Sequence, residues 1–163
     1  MARDPVQPAT PEATALALGL LALPHAALAV TDPADGTPAI SRIAFGLSPQ
    51  GPVTLVSSLA AHFAALQANP ACALLLGEPA AKGDPLTHPR LMLKARASFV
   101  TPDDPARPAL RDHWLKTHPK SKLYVDFADF AFVRFTLLSA LLNAGFGKAH
   151  RLTAEDLTAS NPT

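Results

Sequence analysis

Arg42, the pair Ser57-Ser58 and His62 are the side chains of the first half of the chain whose types and spacing suit chemistry. They lie in the stretch SRIAFGLSPQGPVTLVSSLAAHFAALQANPACALLLG, residues 41–77. A guanidinium, two hydroxyls and an imidazole are all donors, and donors that converge suit an anion such as a phosphate. Spacing brings them together. Ser48-Pro49-Gln50-Gly51 is a turn by composition, with proline at its second position and glycine at its fourth. With those four residues as the loop, Leu47 faces Pro52, Phe45 faces Thr54 and Arg42 faces Ser57. Side chains alternate along a strand, so Arg42, Ala44 and Gly46 share one face, and Ile43, Phe45 and Leu47 share the face meant for the core. The Arg42 face is nearly bare, a floor for a flat ligand with its anionic end at Arg42.

The second strand runs straight into a helix. Residues 59–68 are rich in Ala and Leu, Asn69-Pro70 stops them, and Ser58 reads as the N-cap. A helix N-terminus offers free N–H groups and the positive end of the dipole, which favours a phosphate, with His62 one turn further in. The same residues also describe an ordinary capped helix beside an exposed arginine, and spacing alone leaves both readings open.

Composition narrows the classes. At 163 residues, 48% hydrophobic and 17% charged, one globular domain with a real core is expected. A net charge of +1 argues against nucleic acid or an anionic membrane surface as partner. The single cysteine, Cys72, precludes an internal disulfide and fits a cytoplasmic location; beside the apolar run 73–76 it reads as a buried thiol. G-x-S-x-G, P-loop, Rossmann, H-E-x-x-H and paired-cysteine motifs are all missing. The six histidines are scattered, and Asp84 with His88 lacks the second ligand pair of a metal site. Any catalysis therefore rests on a bound cofactor.

The elements that must position these residues follow in order. Residues 1–11 read as a loose arm, 12–157 as one domain and 158–163 as a tail. A helix is expected over 12–23, a strand over 26–31, a turn at 32–36 and a return strand over 38–47. A long loop spans 78–89. Residues 90–100 alternate, with Leu91, Leu93 and Ala95 to one side and Lys94 and Arg96 to the other. Asp104-Pro105 opens a helix over 106–117 that carries Leu110, Trp114 and Leu115 on one face. A short helical turn at 121–127, a strand over 131–138 and a last short strand over 139–144 follow. Gly145-Phe146-Gly147 fits either a lid over a ligand or a bulge near a rim.

The run 41–79, followed by GDPLTHPRLMLKARA (83–97), HPKSKLYVDFADFAFVRF (118–135) and NAGFGKAHRLTAEDL (143–157), resembles the flavin-binding split barrels related to pyridoxamine 5'-phosphate oxidase. It is most similar to their branch of haem-utilisation proteins. The resemblance implies a mainly β protein with flanking helices, a six-stranded antiparallel split β-barrel, and a homodimer with FMN at its interface. It places Arg42, Ile43, Ala44, Ser57, Ser58, His62, Lys94, Phe146 and Gly147 around that cofactor. The implied function is an FMN-dependent oxidoreductase of unassigned substrate. Haem is the alternative cofactor, in a haem-binding or haem-degrading protein, and a non-catalytic dimeric ligand-binding module is the third reading. The helix S-S-L-A-A-H-F-A-A-L departs from the family pattern at Ser58, Phe63 and Ala65. Each charge-assisted hydrogen bond so lost weakens binding by about 1.5–3 kcal/mol, which predicts loosely held FMN.

Overall fold

Prolines and glycines cut the chain into short elements, which the computed structural model describes over residues 5–158. In order they are β1 (Val6–Pro8), α1 (Pro11–Leu21), β2 (His25–Thr31), β3 (Pro38–Ala44), β4 (Gly46–Ser48), β5 (Gly51–Ser57), α2 (Ala61–Ala68) and β6 (Ala71–Leu76). Then come a 3-10 turn (Pro85–Thr87), β7 (Arg90–Val100), α3 (Arg107–Thr117), a second 3-10 turn (Pro119–Leu123), β8 (Phe130–Asn143), β9 (Ala149–Leu152) and α4 (Ala154–Thr158). Thr10 caps α1 by accepting from the Ala13 N–H at 3.1 Å, with Pro11 at the first helical position. The expected loose arm is in part a strand, because β1 pairs in parallel with β9.

The strands form one sheet in the order β1-β9-β8-β7-β6-β2-β3, with β5 on β8 and β4 on β5. The fold is mainly β with flanking helices, as expected. Among the described residues the sheet has nine strands and is not closed, so the six-stranded barrel is not confirmed. Its opening lies at β3. One edge of β3 pairs with β2 along its whole length, while the other turns towards β5 and α2. The cause is local. The Phe45 N–H donates to the Pro24 carbonyl at 2.9 Å, so the ladder with β5 stops there. Leu47 does face Pro52, as the turn chemistry required, but the ladder covers only Gly46–Ser48 and the Arg42–Ser57 pairing is not formed.

The kink also shifts the facing. Ile43 and Phe45 are buried as expected, but Gly46 and Ser48 follow them inward and Leu47 is 38% exposed. Gly46 fits because a Cβ there would stand 3.1 Å from Trp114 Cζ3 and 3.3 Å from His118 Cε1. Those two rings stack with centroids 3.8 Å apart. The strand read over 131–138 and the short strand after it are a single 14-residue strand, β8, and the last strand is β9.

Leu28, Leu74, Leu93 and Ala140 stand side by side on the inner face of β2, β6, β7 and β8, packed with Ala17 and Leu21 of α1 and Ala65 and Leu66 of α2. Trp114, Leu110, Val125 and Phe132 make a second cluster under α3. On the outer face, Ala27, Ala29, Ala73, Leu75 and Met92 point away from the core. Leu75 and Leu138 remain 42% and 56% exposed there.

Candidate functional site

The opening beside β3 is a cleft. The β2–β3 hairpin forms one wall and α2 the other, enclosing a cavity of about 310 Å³ lined by Val30, Ile40, Ser41, Ala61, His62 and Ala64 among others. Its lining is mostly apolar, and its polar members are Asp32, Ser41 and His62. The His62 Nδ1 lies 3.0 Å from the Ser41 hydroxyl. Burial pushes the His62 pKa below its ordinary value, because an imidazolium loses solvation there. The ring is therefore neutral at neutral pH. Among the described residues its Nε2 makes no hydrogen bond.

The remaining expected contacts are dispersed. Arg42 points to the opposite side of β3 from Ser41, and its guanidinium lies 3.6 Å from Glu78 Oε1. The same oxygen is 3.2 Å from His25 Nε2. Ile43 is in the core, and the Ala44 carbonyl accepts from the Thr54 hydroxyl at 2.6 Å. The Ser57 hydroxyl donates to the Asp129 carboxylate at 2.8 Å, and the Ser58 N–H donates to the Asp129 carbonyl at 2.7 Å. Ser58 is not the N-cap of α2; Ala60 is, without a side-chain hydrogen bond. Lys94 is exposed on the outer face of β7, opposite Ala73 and Ser139. Phe146 is 88% exposed at the tip of the β8–β9 turn, beside Gly147 at φ +68°. The structure thus joins His62 to Ser41, Arg42 to Glu78 and Ser57 to Asp129. Sequence reasoning missed all three partners. Asp129 is 72 residues from Ser57, and no local pattern signals that contact.

The Ser57 end of the expected phosphate cradle is engaged within the chain. A carboxylate occupies the Ser57 hydroxyl, and a dianion beside Asp129 would meet like charge. Among the described residues no group of three or more His, Cys, Asp or Glu could hold a metal ion, and no helix is long and apolar enough to cross a membrane.

No protein-family model matches the chain. One solved structure is 45% identical, covers 93% of this chain and 98% of its own, and superposes with a TM-score of 0.82. A heme binding protein from Mycobacterium smegmatis is 27% identical with a TM-score of 0.80, covering 93% of this chain and 62% of that one. A putative pyridoxamine 5'-phosphate oxidase from Listeria innocua, 13% identical with a TM-score of 0.62 over 81% of this chain and 98% of that one, shares the fold. The chloroplastic non-canonical heme oxygenase HOZ of Arabidopsis thaliana is 40% identical over 101 residues, 61% of this chain and 30% of that one. The chain has the fold of the split-barrel proteins related to pyridoxamine 5'-phosphate oxidase, and haem-utilisation proteins are among its structural neighbours. It spans 30% of the length of the curated relative it matches and 62% of the M. smegmatis chain. Within this split-barrel chain, two of the positions that depart from the family pattern have structural work. Phe63 packs edge-on against Phe99 at 4.8 Å, and Ala65, 2% exposed, seats α2 on the sheet.

Proposed function

We propose that this split-barrel protein binds haem in the cleft between the free edge of β3 and α2, as one half of a homodimer. One observation carries the reading: a neutral imidazole, His62, stands in an apolar cavity with one ring nitrogen anchored and the other open. Haem is a flat apolar macrocycle with two carboxylates at one edge. Ile40 and Leu59, 75% and 88% exposed, offer apolar surface beside the cleft. The names of the M. smegmatis and Arabidopsis relatives point the same way. The FMN-dependent oxidoreductase reading is supported by the fold, and the Ser57–Asp129 contact weighs against it. The second copy would lie on the outer sheet face around Leu75 and Leu138. The lone Cys72 suits a reducing compartment such as the cytoplasm.

Parallel titrations of the purified apoprotein test this. Haemin is expected to saturate with a shifted Soret band, and FMN, followed by fluorescence quenching, to bind at least tenfold more weakly, which is about 1.4 kcal/mol. An unchanged Soret band, or tighter binding of FMN, overturns the haem reading.

A further inference from the structure

We propose that Ser41 and His62 form a nucleophile–base pair that hydrolyses small uncharged esters in the cleft between β3 and α2. This goes beyond haem binding, because it needs only the chain's own groups, an ester and water. A serine hydroxyl is a weak nucleophile until a base within hydrogen-bond reach takes its proton. The Ser41 hydroxyl lies 3.0 Å from His62 Nδ1, inside that reach. Burial lowers the proton affinity of His62, so at neutral pH the ring keeps the lone pair that a base needs. In the reactive tautomer the Ser41 O–H donates to Nδ1 and the ring proton sits on Nε2.

Other hydroxyls are used to hold the fold. Ser57 donates to Asp129, Ser48 to the Gly51 carbonyl and Thr54 to the Ala44 carbonyl. Thr117 also meets a histidine, 2.8 Å from His118 Nδ1. Yet Thr117 donates to the Trp114 carbonyl at 3.2 Å, and the His118 ring is stacked flat on Trp114. Ser41 and His62 differ in that both line a cavity.

The cavity beside the pair sets the substrate. Val30, Ala39, Ala61 and Ala64 give it an apolar wall of about 310 Å³, which suits a short acyl chain. Ala61 and His62 open α2, where N–H groups lack partners within the helix, so donors for a developing oxyanion belong to the same lining. Asp32 is the remaining titratable group of the lining, and its Oδ1 accepts from the Ala34 N–H, which fixes the carboxylate. That charge repels carboxylates, so it favours uncharged esters and drives out the acid product. The mount is firm: Ser41 pairs with Leu28 in the β2–β3 ladder, Ala65 and Leu66 are in the core, and Phe63 packs on Phe99.

In the first half-reaction Ser41 Oγ bonds to the ester carbonyl carbon and its proton passes to Nδ1. The bond to the alcohol oxygen then breaks, and the alcohol leaves with that proton. In the second, water attacks the acyl carbon and gives a proton to Nδ1. That proton returns to Oγ as the acyl–Oγ bond breaks and the acid is released.

The test uses the full chain without haem, given p-nitrophenyl butyrate, with nitrophenolate release and peptide mass as readouts. Wild type is expected to hydrolyse the ester and, after rapid quenching, to carry a butyryl group on Ser41. A fluorophosphonate probe should label the same serine. Ser41→Ala and His62→Ala should each lose at least about tenfold in rate at an unchanged urea midpoint. His88→Ala, whose ring is held by the Ala80 N–H outside the cleft, should match wild type. The rate should fall as pH drops through a midpoint below the ordinary histidine value, where His62 takes up a proton. The p-nitrophenyl half-ester of succinic acid should react more slowly than the butyrate, and Asp32→Asn should narrow that gap. A label elsewhere than Ser41, or a wild-type rate in folded Ser41→Ala, overturns the pair. A wild type with neither turnover nor label overturns it equally and leaves haem binding standing.

Discussion

Cys72 sits half-buried on β6 with its Sγ 3.6 Å from the Ala95 carbonyl, and burial pushes its thiol up to about 11. At pH 8 that leaves roughly 0.1% thiolate, the reactive form. Iodoacetamide is therefore expected to label the folded protein at least tenfold more slowly than the urea-unfolded chain, read by intact mass against time. Equal rates would show an accessible thiol. The inert character of Cys72 was legible from its place before an apolar run. The roles of Ser57 and His62 were not. Both were read as free donors to an anion, yet their partners Asp129 and Ser41 come from other elements, 72 and 21 residues away. Residue type told what these groups can donate or accept, and only the fold told to whom.

Elements with an unbroken local period were readable. The Ser48–Gly51 turn, β7 over its full length and the Trp114 face of α3 all lie where hydrophobic spacing put them. The kink at Phe45 was not readable, because it depends on an N–H bonded to Pro24, a remote backbone group. β8 was cut short in the reading because it is apolar on both faces for much of its length, which hides the period of two. Gly46 tests the kink. Its missing Cβ is what lets β4 lie on the Trp114–His118 stack, and these rings cannot retreat: Trp114 donates to Ser121 at 3.0 Å and His118 to Pro24 at 3.0 Å. Gly46→Ala is expected to destabilise the fold by about 1–3 kcal/mol through overpacking, seen as a lower urea midpoint with an unchanged slope. A midpoint equal to wild type would mean that α3 shifts freely on β4.

At the scale of the whole molecule, the outer face of β2 and β6 is small and apolar, with Leu75 and Leu138 open, and it borders the exposed Lys94 and Arg96 of β7. Sedimentation at micromolar concentration is expected to give twice the 17.1 kDa of one chain, and Leu75→Glu to shift the protein towards single chains. A single 17.1 kDa species in the wild type would reject the homodimer. That face was legible only in part, since the alternation of β7 was visible in sequence whereas its neighbours in the sheet were not.

The parallel pairing of β1 with β9 also has a temporal side. The β2–β3 and β4–β5 hairpins close over a few residues and zip as soon as their strands exist. Val6 meets Ala149 only after all the elements between β1 and β9 have been made and laid in place. Closing so long a loop carries an entropy cost that grows with its logarithm, and contacts of such separation slow folding. During synthesis the first strand waits for the last, and until they meet the edge of β9 is open to a strand from any neighbouring molecule.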